Sequence, residues 1–309
     1  MSVDLSPIDA DLLKTLTNVH GIPEGAYNIR KDGELLTRHS SANIEIATKT
    51  DYPGIDIRIK DGTKGERVYI PVIVSKAGIK DVVYNTFYIG DNCDVDIIAG
   101  CGIHNDSHQA SEHDGIHTFH IGKNSRVKYI ERHYGEGSGT GDRILNPVTT
   151  VYQDENSFCE MEMTQIRGVT STVRDTDAVL GAGAKLVLTE KLLTDGDQQA
   201  TSNMNIRLIG ENSNVQIISR SVAQDNSVQI FNPLVAGEAA CHGHVQCDAI
   251  IMGKAVVKAI PGIEAAHEDA QLVHEAAIGK IAGDQIIKLM TLGLTEEEAE
   301  QEILDDFLN

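Results

Sequence analysis

A short motif recurs along this chain at intervals close to thirty residues, and this repeat constrains the fold more than any other feature. The three closest copies read IGDNCDV, IGKNSRV and IGENSNV, and they begin at Ile89, Ile121 and Ile209. Weaker copies begin at Tyr152, Leu180, Ala223 and Ile251. In each copy a corner of Gly, Asn or Asp precedes an alternating strand, and these residues tolerate a positive φ. Such a period is typical of stacked structural repeats.

The spacing of the corners and the residues between them predict an all-β core. Corner residues are separated by 32, 32, 27 and 29 positions at Gly90, Gly122, Asp154, Gly181 and Gly210. From about Leu35, for roughly 220 residues, Val, Ile and Thr alternate with polar residues as they do in strands. We therefore expect a β-solenoid with two or three strands per turn. A β-sandwich or jelly roll is the alternative, but its strands would not need corners at regular spacing.

Helical patterns stand at both ends of the predicted solenoid. Residues 6–19 begin with a capping box, and a second capping box follows Gly293 near the C-terminus. Residues 284–292 predict one more helix, whereas residues 264–277 suit either a last strand or a helix. We predict an N-terminal helical cap at 1–34, a β-helix core at 35–263 and a C-terminal helical region at 264–309. The C-terminal helices could serve as a cap or as a docking surface.

Charge and cysteine usage exclude several classes of protein. A net charge of −20 argues against nucleic acid or an anionic membrane as a partner. No apolar run reaches the length of a membrane span, and the N-terminus lacks the pattern of a signal peptide, so a cytoplasmic location is expected. Five cysteines make a disulfide framework improbable, and reduced thiols, some of them ligands, fit better. Alternation around Cys159 predicts a buried core thiol.

Potential metal ligands concentrate in two segments. The first holds Cys241, His242, His244, Cys247, His267, His274 and Glu275, and the second holds Cys101, His104, His108, His113, His117 and His120. Thiolate and imidazole suit iron–sulfur units, Fe and Zn. The plain alternative is that the cysteines are buried hydrophobes and the histidines are solvated or hydrogen-bonded in a polar surface loop. Strand alternation would place His113 and His117 on one side of the chain.

Three C-terminal motifs resemble a known family. They are VQCDAIIMG, LVHEAAIGKIAGDQ and LGLTEEEAEQEILDDFL, and together they are similar to the C-terminal region of the SufB/SufD proteins, scaffold components of the SUF iron–sulfur assembly system. The resemblance covers residues 245–308 closely and the solenoid-like body loosely. It implies a right-handed parallel β-helix core with a helical C-terminus, in agreement with the repeat.

The resemblance also implies a site and partners. Cys247, Glu275 and His274 match the family's residues for nascent cluster assembly across a subunit interface, so the expected cofactor is a transient iron–sulfur cluster. The ligand types themselves also suit Fe or Zn. Additional candidate ligands are Cys241, His244, His267, Cys101 and His104. A SufC-type ABC ATPase is expected to dock on residues 284–308. The chain carries all three site residues, so it could pair with itself or with a paralogue.

Three functional hypotheses follow. The first is a cluster-assembly scaffold without catalytic turnover of its own, in which the partner ATPase hydrolyses ATP. The second is a metal-binding β-solenoid hydrolase that uses the histidines of residues 104–120, although the absence of Trp gives little support to a sugar-binding platform. The third is a purely structural partner of the ATPase that binds no cluster.

Overall fold

Strands alternate between two long sheets along nearly the whole chain. A computed structural model describes residues 5–166 and 168–308. The two sheets contain ten and eleven strands, and nearly all neighbouring strands within a sheet are parallel. Because each turn places one strand in each sheet, the chain forms a β-solenoid of about eight turns. The predicted solenoid class is confirmed. Residues 1–4 and 309, part of the predicted terminal regions, lie outside the described residues.

The first sheet contains, in chain order, β1 (Ala26–Lys31), β2 (Glu34–His39), β5 (Lys64–Val74), β7 (Asp94–His104), β9 (Arg126–Glu136), β12 (Phe158–Gln165), β14 (Lys185–Thr194), β16 (Asn214–Ala223), β18 (His242–Ile251) and β21 (Gln271–Gly279). The second contains β3 (Ile44–Thr48), β4 (Gly54–Ile59), β6 (Lys80–Ile89), β8 (Ser111–Ile121), β10 (Arg143–Leu145), β11 (Val148–Gln153), β13 (Ser171–Leu180), β15 (Gln199–Leu208), β17 (Val228–Gly237), β19 (Val256–Ala259) and β20 (Gly262–Ala265).

Strands reach into both predicted terminal regions. β1 lies within the segment predicted as the N-terminal cap and pairs in parallel with β5. β21 lies within the segment predicted as the C-terminal helical region and pairs with β18. Of the two interpretations of residues 264–277, the last strand is the one observed, because these residues continue the sheet ladder instead of starting a helix.

The three close copies of the repeated motif, and the weaker copies at 152 and 180, form the corner where the chain passes from the second sheet to the first. The close copies place Asn92, Asn124 and Asn212 at φ of 55°, 57° and 59°. Each corner N–H donates to a carbonyl of the next turn, as Asn124 does to Glu155 over 3.0 Å. The copies at 223 and 251 belong to the opposite corner, where the chain passes from the first sheet to the second. Both corners therefore use left-handed residues, and the sequence pattern alone did not separate them.

The core lies in the lumen between the sheets. Alternate residues of the central strands point inward, and most of them are Ile, Val, Leu, Ala or Cys. Phe87 and Phe119 stack at 4.4 Å between ring centroids, and Tyr129 meets Phe119 edge to face. Burying one such side chain stabilises a fold by roughly 1.5–3 kcal/mol. Cys159 is buried in this cluster, as predicted.

α1 (Pro7–Thr17) covers the outer face of the first sheet. Its capping box is confirmed, because the Asp9 N–H donates to Ser6 Oγ and the Asp9 carboxylate accepts from the Ser6 N–H. The helix ends two residues earlier than the predicted residue 19, since Asn18 adopts φ of 57° and its N–H closes the last turn on Lys14. Leu12 and Leu13 pack against the sheet.

Two helices follow the solenoid, α2 (Gly283–Met290) and α3 (Glu296–Leu308). The predicted second capping box is present, with Thr295 and Glu298 bonded reciprocally. α3 folds back so that Leu304 and Leu308 pack on Val222 of β16. α2 buries no side chain. Within the described residues, no helix is both long and apolar enough to cross a membrane.

Candidate functional site

The three principal candidate residues lie on the last two strands of the first sheet. In the parallel pairing of β18 and β21, Val245 lies opposite His274 and Cys247 lies opposite Ala276. Among the described strands, β21 is the last of the first sheet and has a strand neighbour on one side only. Cys247, His274 and Glu275 therefore lie on adjacent strands at one end of the solenoid, next to an open sheet edge.

Alternation along the strands divides these residues between the two faces of the sheet. Cys247 faces the lumen, and His274, paired with the inward residue Val245, faces the same way. Glu275 points outward and is 65% exposed, with its Oε1 atom 3.5 Å from Nε2 of His244. Within one copy of the chain, the sheet thus separates the Glu275 carboxylate from the Cys247 thiol.

The environment of Cys247 keeps its thiol protonated. The side chain is buried, and burial together with the negative charges of Asp248 and Glu190 raises its pKa to about 11. His274 is only partly buried, but its Nε2 atom is buried and has no hydrogen-bond partner among the residues that the structure describes. A buried, unsatisfied ring nitrogen costs free energy unless a ligand or partner binds it.

The other predicted ligands do not gather around Cys247. Cys241 is buried at a corner of the solenoid, where burial raises its pKa. His267 lies in the turn before β21, and its Nδ1 accepts the Asp269 N–H over 3.1 Å. Cys101 faces the lumen of a distant turn, whereas His104 on the same strand faces outward. Cys101 and His104 therefore cannot share one ion while β7 keeps its alternation.

The histidines of residues 104–120 also lie in several different environments. His104 bridges two carboxylates, with Nδ1 3.0 Å from Glu136 and Nε2 2.9 Å from Asp106. His120 is stacked on the outer face between two tyrosine rings. His113 and His117 point into the lumen and are buried, so the predicted shared side is confirmed and the surface-loop alternative is wrong for these two. Among residues 5–166 and 168–308, no three His, Cys, Asp or Glu side chains already converge on a metal position.

The lumen contains an ionic network that the sequence patterns did not predict. Arg174 contacts both Glu131 and Glu190, and all three side chains are buried. Ser202 donates to Glu190 over 2.7 Å, and the Tyr129 hydroxyl donates to Glu131 over 2.9 Å. Strand alternation assigns these charged residues to the core. Because charged side chains are almost never buried without partners, their positions could have indicated ion pairs inside the lumen.

The protonation of this network follows from its partners. Burial alone would raise the pKa of Glu131, but the neighbouring His133 and Arg174 outweigh it and hold the pKa at about 2. Burial would lower the pKa of Arg174, but the two carboxylates raise it. The network therefore holds one cation between two anions at neutral pH, in a medium where unpaired charges would be costly.

Comparisons with known proteins agree with this architecture. A family model described as SUF system FeS cluster assembly, SufBD core domain, matches residues 77–307. An iron-sulfur cluster assembly SufBD family protein of Archaeoglobus fulgidus is 27% identical over 298 residues, which cover 91% of this chain and 73% of that protein. Proteins of the same description from Methanocaldococcus jannaschii and Pyrococcus horikoshii are 26% and 27% identical, over 93% and 97% of this chain and 90% and 85% of theirs. Because the family model spans most of the chain, the protein belongs to the SufBD family of the SUF iron–sulfur cluster assembly system.

Proposed function

We propose that this chain is a scaffold on which an iron–sulfur cluster is assembled, with Cys247, His274 and Glu275 as ligands of the nascent cluster. The scaffold has no catalytic turnover of its own, and ATP hydrolysis belongs to a SufC-type ABC ATPase. The observation that carries the proposal is the position of these residues on adjacent strands at the open end of the solenoid. A cytoplasmic location remains a prediction.

The ligand chemistry suits assembly followed by release. One thiolate with an imidazole and a carboxylate is a more labile ligand set than four thiolates. Cys247 is protonated at neutral pH, so binding of iron there must displace its proton. The unpartnered Nε2 atom of His274 offers a second ligand on the same face.

A second subunit would complete the site. β21 is an edge strand, and unpaired strand edges readily pair with another chain. Exposed apolar side chains cluster at the same end, namely Ile260, Ile263, Val273 and Ile278. Because Glu275 and Cys247 face opposite sides of the sheet in one copy, ligands shared between two copies would bring all three donor types together. A twin subunit related by a two-fold axis is the simplest partner, and a paralogue is the alternative.

The C-terminal helices offer a surface for the ATPase. Ile287 and Met290 of α2, and Leu292 just after it, are 60%, 43% and 77% exposed. α3 is held on the solenoid by Leu304 and Leu308, so α2 is the part left open. An exposed apolar stripe on a short helix is the pattern that grooves in partner proteins recognise. We therefore place the docking surface within residues 284–308.

Anaerobic purification of the chain co-expressed with its ATPase tests this proposal. Native mass spectrometry should show two copies of the chain with bound ATPase and iron. An Ile287→Asp variant should lose the ATPase and keep the pairing of the two copies, whereas Val273→Asp should weaken that pairing. A complex that retains iron and ATPase with a single copy of the chain would contradict the shared site.

A further inference from the structure

A closed cavity lies inside the lumen, far along the solenoid from Cys247. Its volume is about 10 Å³, which is room for roughly one water molecule or one ion. Strands of both sheets contribute to its wall, which includes Cys101, His113, His117, Glu131 and His133. Each of these side chains is at least nine-tenths buried. A thiol and three imidazoles around so small a space form an unusual lining for a hydrophobic core.

We propose that this cavity is a binding site for one divalent transition-metal ion of the Zn²⁺ or Fe²⁺ class, held by Cys101, His113 and His117. These donors are the types that such ions prefer. The site is distinct from the cluster site at Cys247, and it does not depend on the scaffold function proposed above.

Asp81 and Arg30 fix the orientation of the His113 ring. Its Nδ1 atom is 3.2 Å from Asp81 Oδ2, and Asp81 lies directly opposite on β6. The other oxygen of Asp81 accepts from Arg30 over 2.9 Å. A carboxylate that accepts the Nδ1–H leaves the Nε2 lone pair free. This carboxylate–histidine arrangement is the one that orients metal-binding histidines.

The Nε2 atom of His117 borders a gap in the packing. The other ring nitrogen, Nδ1, is buried and has no hydrogen-bond partner in the described part of the chain. Gly115 lies between the two histidines on the same face, and a Cβ there would come within 2.6 Å of His117 Nε2 and 3.7 Å of His113 Nε2. The missing side chain therefore leaves the space into which both rings point.

Cys101 completes the set from the opposite sheet. Its strand neighbour on β9 is His133, whose Nδ1 atom is 3.3 Å from a guanidinium nitrogen of Arg174. Because Nδ1 accepts that bond, the Nε2 atom of neutral His133 carries the proton. This Nε2–H group lies 3.8 Å from Oε1 of Glu131, which also lines the cavity. On metal binding, Cys101 forms a sulfur–metal bond and releases one proton to solvent.

The donors line the cavity without yet meeting at a single point, so binding requires rotation of the side chains. Gly115 in the wall leaves room for this movement. The second sheet is also interrupted beside the cavity, where residues 146 and 147 separate β10 from β11 opposite residues 114 and 115. Pro147 at this break has no N–H to contribute to the sheet, so the backbone here makes fewer ladder hydrogen bonds than elsewhere along β8.

Titration of the metal-free, full-length chain with Co²⁺ under anaerobic conditions tests the site. We expect one ion per chain with a thiolate-to-cobalt charge-transfer band, competition by Zn²⁺, and release of one proton per ion. Cys101→Ser should abolish the band, and Asp81→Asn should weaken binding about 10–100-fold, as is usual for groups behind a histidine ligand.

Three further variants test the site even if Cys101→Ser does not fold. Gly115→Ala removes no donor and places a methyl group in the ion's space, so it should weaken binding at least tenfold. Cys159→Ser alters another buried thiol of the same sheet, and Cys247→Ser alters the cluster site; both should keep the band. The inference is overturned if the wild-type chain shows no band, if the band survives in Gly115→Ala with unchanged affinity, or if Cys247→Ser alone removes it.

Discussion

Replacing Glu131 with Gln removes one charge from the lumenal network while keeping its shape. In the folded chain, His133 and Arg174 lower the pKa of Glu131 from 4.5 to about 2. At about 1.4 kcal/mol per unit, this difference corresponds to about 3 kcal/mol of stability for a fully buried group. The value agrees with the roughly 3–5 kcal/mol that breaking a buried ion pair costs. We therefore expect Glu131→Gln to lower the free energy of unfolding by about 3 kcal/mol at pH 7.

The stabilisation that Glu131 contributes should decrease as the pH falls. Since the folded-state pKa of Glu131 lies below the unfolded-state value, the unfolded chain binds more protons between pH 4.5 and 2. The stabilisation is complete above that window and is lost as the pH falls through it. The difference between wild type and variant should thus stay near its full value at pH 6 and shrink markedly by pH 3.

Urea unfolding followed by circular dichroism measures this difference in the presence of a chelator. Glu162→Gln is a matched control, because Glu162 is 40% exposed on β12 and pairs with Lys128 over 2.9 Å. An exposed pair of this kind contributes roughly 0–1 kcal/mol. A loss below 1 kcal/mol in Glu131→Gln at pH 7, or a loss that does not shrink on acidification, would refute the reasoning.

Three further predictions concern corners, the C-terminal helix and the thiols. Asn124→Ala should destabilise the fold by about 1 kcal/mol in chemical unfolding, whereas Asn124→Gly should be close to neutral, because only Ala is strained in the left-handed region. Leu304→Ala should release α3 from the solenoid, seen as faster hydrogen exchange in residues 296–308 with the lumen still protected. Cys247 should react with a thiol reagent about tenfold faster than Cys159, although both are buried, because the terminal turn opens locally more often than the middle of the stack.

The solenoid was predictable because its corners carry a chemical requirement that the sequence displays. A left-handed corner needs Asn, Asp or Gly, and Asn92, Asn124 and Asn212 recur in register with the turns. The assignment of residues to the two corners was not predictable, since both use the same residue types. Strand alternation correctly placed His113 and His117 on one face.

The arrangement of the site was less accessible from sequence. The motif identified Cys247, His274 and Glu275, but adjacent residues of a strand face opposite sides. If residues 271–279 form a strand, the side chains of His274 and Glu275 must therefore point to opposite faces of the sheet. The interpretation of residues 264–277 was open between helix and strand, and only the ladder to β18 decided it. The ion pairs of Arg174 join strands distant in sequence, a coupling that no local pattern encodes.

Anaerobic reconstitution with iron and sulfide tests the central claim most directly. The wild-type chain should develop the absorption band of an iron–sulfur cluster. The amounts of bound iron and sulfide should stand in a fixed ratio to the amount of paired chains. Cys247→Ala or Glu275→Ala should lose it, while Cys159→Ala should keep it. Retention of the full band in both the Cys247 and the Glu275 variants would contradict a cluster assembled at the open end of the solenoid.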